Sequence, residues 1–96
     1  MFCKSYFNGD ISHWDVSSVN NMDFMFCSSK FNKDISHWNV SNVKTMKNMF
    51  QHSDFNQDLN NWHLRNIQNK NFIFLNSSLE KEENLPYWAD LSSEDI

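Results

Sequence analysis

Apolar residues recur along the chain at one fixed offset. Phe7, Phe31 and Phe55 open three near-copies of a single phrase, Trp14, Trp38 and Trp62 stand near its middle, and each step is 24 residues with no insertion or deletion. Eight columns follow from that period: Phe7/Phe31/Phe55, Ile11/Ile35/Leu59, Trp14/Trp38/Trp62, Val16/Val40/Leu64, Val19/Val43/Ile67, Met22/Met46/Lys70, Met25/Met49/Ile73 and Phe26/Phe50/Phe74. A unit this short cannot bury its own apolar face, so a tandem array with a period in the twenties stacks its units and buries each against its neighbours.

Inside one period the spacing predicts the local structure. From Ile35 to Val43 it runs apolar-x-x-apolar-x-apolar-x-x-apolar, the frame of a leucine-rich repeat. Trp38-x-Val40 alternates with period two and predicts a short strand over 37–41, with equivalents at 13–17 and 61–65. Beyond it, Val43, Met46, Met49 and Phe50 fall at i, i+3, i+6 and i+7, one face of a short helix, with Ser41 or Asn42 as its cap and Ser17/Ser18 and Asn66 as counterparts. The expected fold class is therefore an α/β repeat. It is a leucine-rich-repeat-like solenoid of short parallel strands and short helices, with three full coils over 1–78 and an acidic, degenerate C-terminal cap over 79–96.

Three departures shape the ends. Lys70 replaces methionine in a core column, which makes the third coil edge-like or sends the Lys70 ammonium to solvent along its aliphatic stem. Trp88 follows Trp62 by 26 residues, a two-residue slip that reads as an atypical terminal repeat. Met1-Phe2-Cys3 aligns with Met25-Phe26-Cys27, so the chain begins inside a repeat, and an exposed apolar N-terminal face is expected for a second copy or a larger assembly to cover.

Composition adds exclusions. A single Gly, a single Pro, 16% aromatic and 40% hydrophobic residues mark a folding chain rather than a disordered or collagen-like one. The net charge of −4 is concentrated in residues 79–96, and no Lys/Arg stripe is available to displace counterions from nucleic acid. No apolar run reaches the roughly 18 residues of a membrane span, and no basic-then-apolar leader opens the chain. Taken as a full-length chain, this predicts a cytoplasmic or virion protein; taken as a fragment, a cell-surface one.

The phrase Phe-Asn-x-Asp-Ile-x-x-Trp, continued by Val-Ser-x-Val-x-x-Met-x-x-Met-Phe, resembles the BspA-like leucine-rich-repeat surface proteins. The likeness is to the mycoplasma-type repeat of unknown function that also occurs in Listeria lipoproteins and large DNA viruses, and it covers residues 1 to about 78. It places Phe31, Asn32, Asp34, Ile35, Trp38, Val40, Val43, Met46, Met49 and Phe50, with their period mates, as scaffold positions. It implies adhesion or protein contact, and no enzyme.

Candidate chemistry is sparse. His13 and His37 are period mates on adjacent predicted strands, roughly 4.8 Å apart along such a ladder, but no third ligand stands at fixed close spacing, so no metal site is assigned. Asp10, Asp34 and Asp58 stack like charges along one ridge, which is tolerable where each accepts backbone N–H bonds at a corner; the alternative, calcium, wants six or more oxygens. Asn8, Asn32 and Asn56 suit a hydrogen-bonded ladder. Ser12-His13 and Ser36-His37 point to opposite faces of a strand and so cannot act as nucleophile and base. Cys3 and Cys27 are period mates brought near disulfide range by stacking, against which stands the free, buried thiol usual in an unexported chain. No catalytic residue and no cofactor is expected.

The expected binding surface is the concave strand face: His13, Asp15, Ser17, His37, Asn39, Ser41, Asn61, His63 and Arg65. The expected function is a non-enzymatic protein–protein interaction or structural scaffold module, docking through that face or through the open N-terminal end, with self-association at that end as one form. Two alternatives stand beside it: a component of a larger assembly, viral for example, or an inhibitor of a host complex; and a fragment of a surface adhesin.

Overall fold

A computed structural model describes residues 3–90, and the expectations that fall on Met1, Phe2 and residues 91–96 lie outside it. Among the described residues the only helices are one turn of α-helix, α1 (Ser78–Lys81), and a 3-10 turn at Tyr87–Asp90, and the only ladder contacts are two isolated parallel bridges, Asn21 to Thr45 and Thr45 to Asn69. The leucine-rich-repeat-like solenoid of strands and helices is therefore overturned: no strand forms at 13–17, 37–41 or 61–65, and no helix begins at Val43.

Turns replace both. In the stretch 28–51, backbone bonds of the i+3 to i kind close corners from Trp38 to Ile35, Val43 to Val40, Met49 to Met46 and Gln51 to Asn48, and Ser53 to Phe50 follows. Corners this frequent leave no room for a strand or a helical turn to propagate. The apolar spacings that read as strand and helix are the spacings of corner residues: the turns at 35–38, 40–43 and 46–49 each put two core side chains three apart. Helix is excluded from 46–50 by a further observation. The N–H groups of Asn48 and Phe50 leave the segment to bond Asn71 and Ile73 one period later, and Asn48 sits at φ 57°, in the left-handed region.

What the 24-residue period controls is contact between segments. Met22 N donates to Thr45 O, Phe24 N to Lys47 O, Phe26 N to Met49 O and Ser28 N to Gln51 O; one period later Met46, Asn48, Phe50 and His52 repeat the series onto Asn69, Asn71, Ile73 and Leu75. A second seam runs from Lys30 N to Ser5 O, Asp54 N to Ser29 O and Ser78 N to Ser53 O. We call 3–26, 27–50 and 51–74 coils 1, 2 and 3. They lie on one another in parallel register, joined at several points by backbone bonds that satisfy the donors a sheet would otherwise satisfy.

Aromatic files fill the interior. Phe26, Phe50 and Phe74 stack with ring centroids 5.6 Å apart at each step, and Phe7, Phe31 and Phe55 at 6.3 and 6.1 Å. The two files touch at 4.4 Å, Phe26 on Phe31 and Phe50 on Phe55. Each buried indole N–H reaches back one unit to a backbone carbonyl: Trp38 Nε1 to Ile11 O at 3.1 Å, Trp62 Nε1 to Ile35 O at 3.0 Å and Trp88 Nε1 to Leu59 O at 2.9 Å. Trp88 thus takes the tryptophan position despite its two-residue slip, stacking on Trp62 at 6.1 Å. α1 and the left-handed Glu83 that follows it absorb the two extra residues. Leu79, a period after Phe55, continues the phenylalanine column, and Lys70 Nζ reaches the Ala89 carbonyl at 3.3 Å, tying coil 3 to this terminal segment.

Left-handed backbone also recurs with the period, at Lys4, Ser28, His52 and Asn76 and at Phe24, Asn48 and Phe72, none of them glycine. A Cβ at such φ costs on the order of 1 to 2 kcal/mol. Phe72, at φ 59° and 64% exposed, gives up that cost without a large burial gain, so Phe72→Gly is expected to raise stability by about 0.5 to 1 kcal/mol in denaturant melts.

Candidate functional site

The corners of the coils are built by side chains that mimic a turn. Asp10, Asp34 and Asp58 each accept the backbone N–H two residues on, at 2.9, 2.8 and 2.8 Å, and Asp15 and Asn39 do the same for Ser17 and Ser41 at 3.0 and 3.1 Å. These are Asx turns, and they account for the acidic column without a cation. Among the described residues no three His, Cys, Asp or Glu side chains converge as a metal site. Asn8 Oδ1 accepts from Asn32 N and Asn32 Oδ1 from Asn56 N, a ladder running across the coils.

Among the described residues no sheet forms, and the nine residues expected on its concave face stand on turn corners, apart from His63, which lies between two. His13, Asp15, His37, Asn39, Asn61, His63 and Arg65 are exposed, and Ser17 and Ser41 are partly covered, their hydroxyls donating to Asp15 and Asn39. Asn42 Nδ2 donates to Ser17 O and Asn66 Nδ2 to Ser41 O, so the residues read as helix caps instead link one coil to the next. Sequence reading passed over the column Ser5/Ser29/Ser53/Ser77, which shares the 24-residue period and is buried at its last three members. Ser77 caps α1, its hydroxyl accepting from Glu80 N at 3.3 Å and donating to Phe74 O at 2.7 Å.

Three carboxyls at the corners are acid-strengthened. The hydroxyl and then the N–H of Ser12 hold Asp10 below the ordinary aspartate value of 3.8, Ser17 does the same for Asp15, and the N–H and then the hydroxyl of Ser36 for Asp34. Folded values below unfolded ones contribute stability that is present above the unfolded pKa and is lost as pH falls through the folded one. The melting temperature is therefore expected to hold above about pH 5 and to fall below about pH 4. A triple Asp10→Asn, Asp15→Asn, Asp34→Asn variant keeps each acceptor and should flatten that acid limb in calorimetry at stepped pH.

The apolar feature lies at the end of the stack where coil 1 sits. Trp14 and Phe7 are each 37% exposed, whereas Trp38 and Trp62 are 4% and 2%, and Phe31 and Phe55 both 0%. Beside Trp14 a cavity of about 380 Å³ is lined by Val16, Val19, Met22 and Met25, with Asp15, Asn21 and Asp23 on its rim. Of the columns that form the core in coils 2 and 3, those of Phe7, Trp14 and Val19 are here partly open, while Val16, Met22 and Met25 stay buried. The Asn21 and Asp23 carbonyls take no donor from the described residues, while their period mates Thr45 and Lys47 accept from Met22 and Phe24.

The family described as "Mycoplasma protein of unknown function, DUF285" matches residues 1–88, nearly the whole chain. The chain belongs to this family. The match takes in all three coils with their near-copies of the phrase and runs through Trp88. No curated protein and no solved structure matches it. Among the described residues no helix is long and apolar enough to cross a membrane.

Proposed function

We propose that the protein is a non-enzymatic interaction module that docks another protein on the coil 1 end of its stack. The observation that carries this is the contrast within single columns: Trp14 and Phe7 are 37% exposed where their period mates are 4% exposed or less. Large aromatics with aliphatic and methionine neighbours around a cavity, rimmed by polar groups, are the ordinary composition of a protein-binding surface. The corner residues offer less, because Asp15, Ser17, Asn39 and Ser41 spend their hydrogen bonds within their own turns.

A cell-surface setting, as in the BspA-like proteins that the phrase resembles, is part of this reading. It is supported by the Cys3–Cys27 disulfide, since such bonds persist in oxidising surroundings and are uncommon in the cytosol. The test is binding of a partner cross-linked to the protein in its native host. Trp14→Lys should weaken that complex at least tenfold while the melting curve stays within a few degrees. Unchanged binding by Trp14→Lys, with loss on Arg65→Glu, would instead place the partner on the polar corners and refute the end-docking reading.

A further inference from the structure

Cys3 and Cys27 hold the same place in consecutive units, and their sulfurs are bonded. The column continues as Gln51 and Leu75, where noncovalent contacts suffice: Ser28 N donates to Gln51 O and His52 N to Leu75 O. The first junction has the equivalent bond, Lys4 N to Cys27 O, and the covalent link besides. That link falls where packing is thinnest. Coils 2 and 3 are covered on both sides, whereas coil 1 leaves Phe7 and Trp14 each 37% exposed. In a linear stack the unit with the least buried packing opens at the lowest free energy.

We infer that the disulfide is a redox latch on coil 1. Oxidised, it holds coil 1 down on coil 2; reduced by a dithiol, it lets coil 1 lift away and bare Phe31 and Trp38, which makes a second and larger apolar end. The inference does not depend on which protein docks, nor on docking itself. Access fixes the order of events. Cys3 is exposed and Cys27 is 7% exposed, so a thiolate of the dithiol attacks Cys3 Sγ, forms a mixed disulfide there and expels the Cys27 thiolate. The second thiolate of the reductant then attacks its own sulfur in the mixed disulfide and releases Cys3. Two electrons pass to the protein, both cysteines take up the protons the dithiol gives up, and the reductant leaves as a disulfide.

Hydrogen exchange on the full chain, oxidised and in dithiothreitol, tests this. Lifting coil 1 breaks the bonds from Asn32 N to Asn8 Oδ1 and from Trp38 Nε1 to Ile11 O, and leaves those from Phe50 N to Ile73 O and His52 N to Leu75 O. The first pair should exchange faster on reduction by on the order of a hundredfold, and the second pair by less than about threefold. Cys3→Ser should show the fast pattern without reductant, and adding dithiothreitol should then change nothing. Equal acceleration in all coils, or none in the first pair, would overturn the latch. So would a Cys3–Cys27 link missing from non-reducing peptide maps of air-oxidised protein.

Discussion

Trp38→Ala is expected to lower the unfolding free energy by roughly 3 to 5 kcal/mol, a large part of what a domain of this size possesses. The side chain is 4% exposed and tilts against Phe26 at 6.4 Å, and its indole N–H is the donor to Ile11 O. Alanine leaves a cavity between two coils that cannot close without breaking their register, and it strips a buried carbonyl of its partner. Trp14→Ala, at the 37% exposed member of the same column, should cost clearly less. Chemical denaturation of the two variants side by side checks the order, and equal losses would contradict the stacking of the column.

Deleting everything after Ser78 is expected to have an effect of similar size with a different symptom. The deletion removes Leu79, which is 1% exposed, and Trp88, which covers Trp62 at 6.1 Å and Phe74 at 5.6 Å and bonds Leu59 O. It also removes the Ala89 carbonyl that receives Lys70. Coil 3 would then present Leu59, Trp62 and Phe74 to water, and an open apolar end of a stack recruits other copies. The truncated chain should aggregate or elute as large assemblies in size-exclusion chromatography. A soluble monomer with an unchanged melt would show that the terminal segment is not the closure of the stack.

The parts of the fold that depend on equal spacing could be read from the residues. A stack demands the same length in every unit, so the period identifies which side chains meet, as it does for Phe26 with Phe50 and for Asn8 with Asn32. The slip at Trp88 was legible for the same reason. Local structure was not, because turn corners imitate both of the regular elements: Ile35 and Trp38, and Met46 and Met49, are pairs across a single turn, and the same offsets suit a strand's neighbourhood or a helix face. The usual markers of turns were missing as well. With one Gly and one Pro in the chain, the left-handed corners fall to Asn48, His52 and Asn76, types that tolerate that region, and to Lys4, Phe24, Ser28 and Phe72, which do not announce it.

The candidate site divides along the same line. The Asp10/Asp34/Asp58 column was readable as turn-forming because stacked carboxylates need N–H partners. The concave face was not, since it was derived from strands that do not form, and its residues, His63 apart, are corner residues. The open coil 1 end was visible in the alignment of columns, but how far Trp14 and Phe7 are uncovered depends on packing that only coordinates give. For Cys3 and Cys27 the period put the sulfurs side by side and left their oxidation state open.

Parallel stacking of the turn-built coils is measured most directly by proton NMR cross-relaxation between aromatic rings. Contacts from Phe26 to Phe50 and from Phe50 to Phe74 are predicted, each across 5.6 Å between ring centres, together with Phe26 to Phe31 at 4.4 Å and no run of helical i to i+3 contacts over 43–50. A set of antiparallel cross-strand contacts, or rings of successive phrases that never meet, would contradict it.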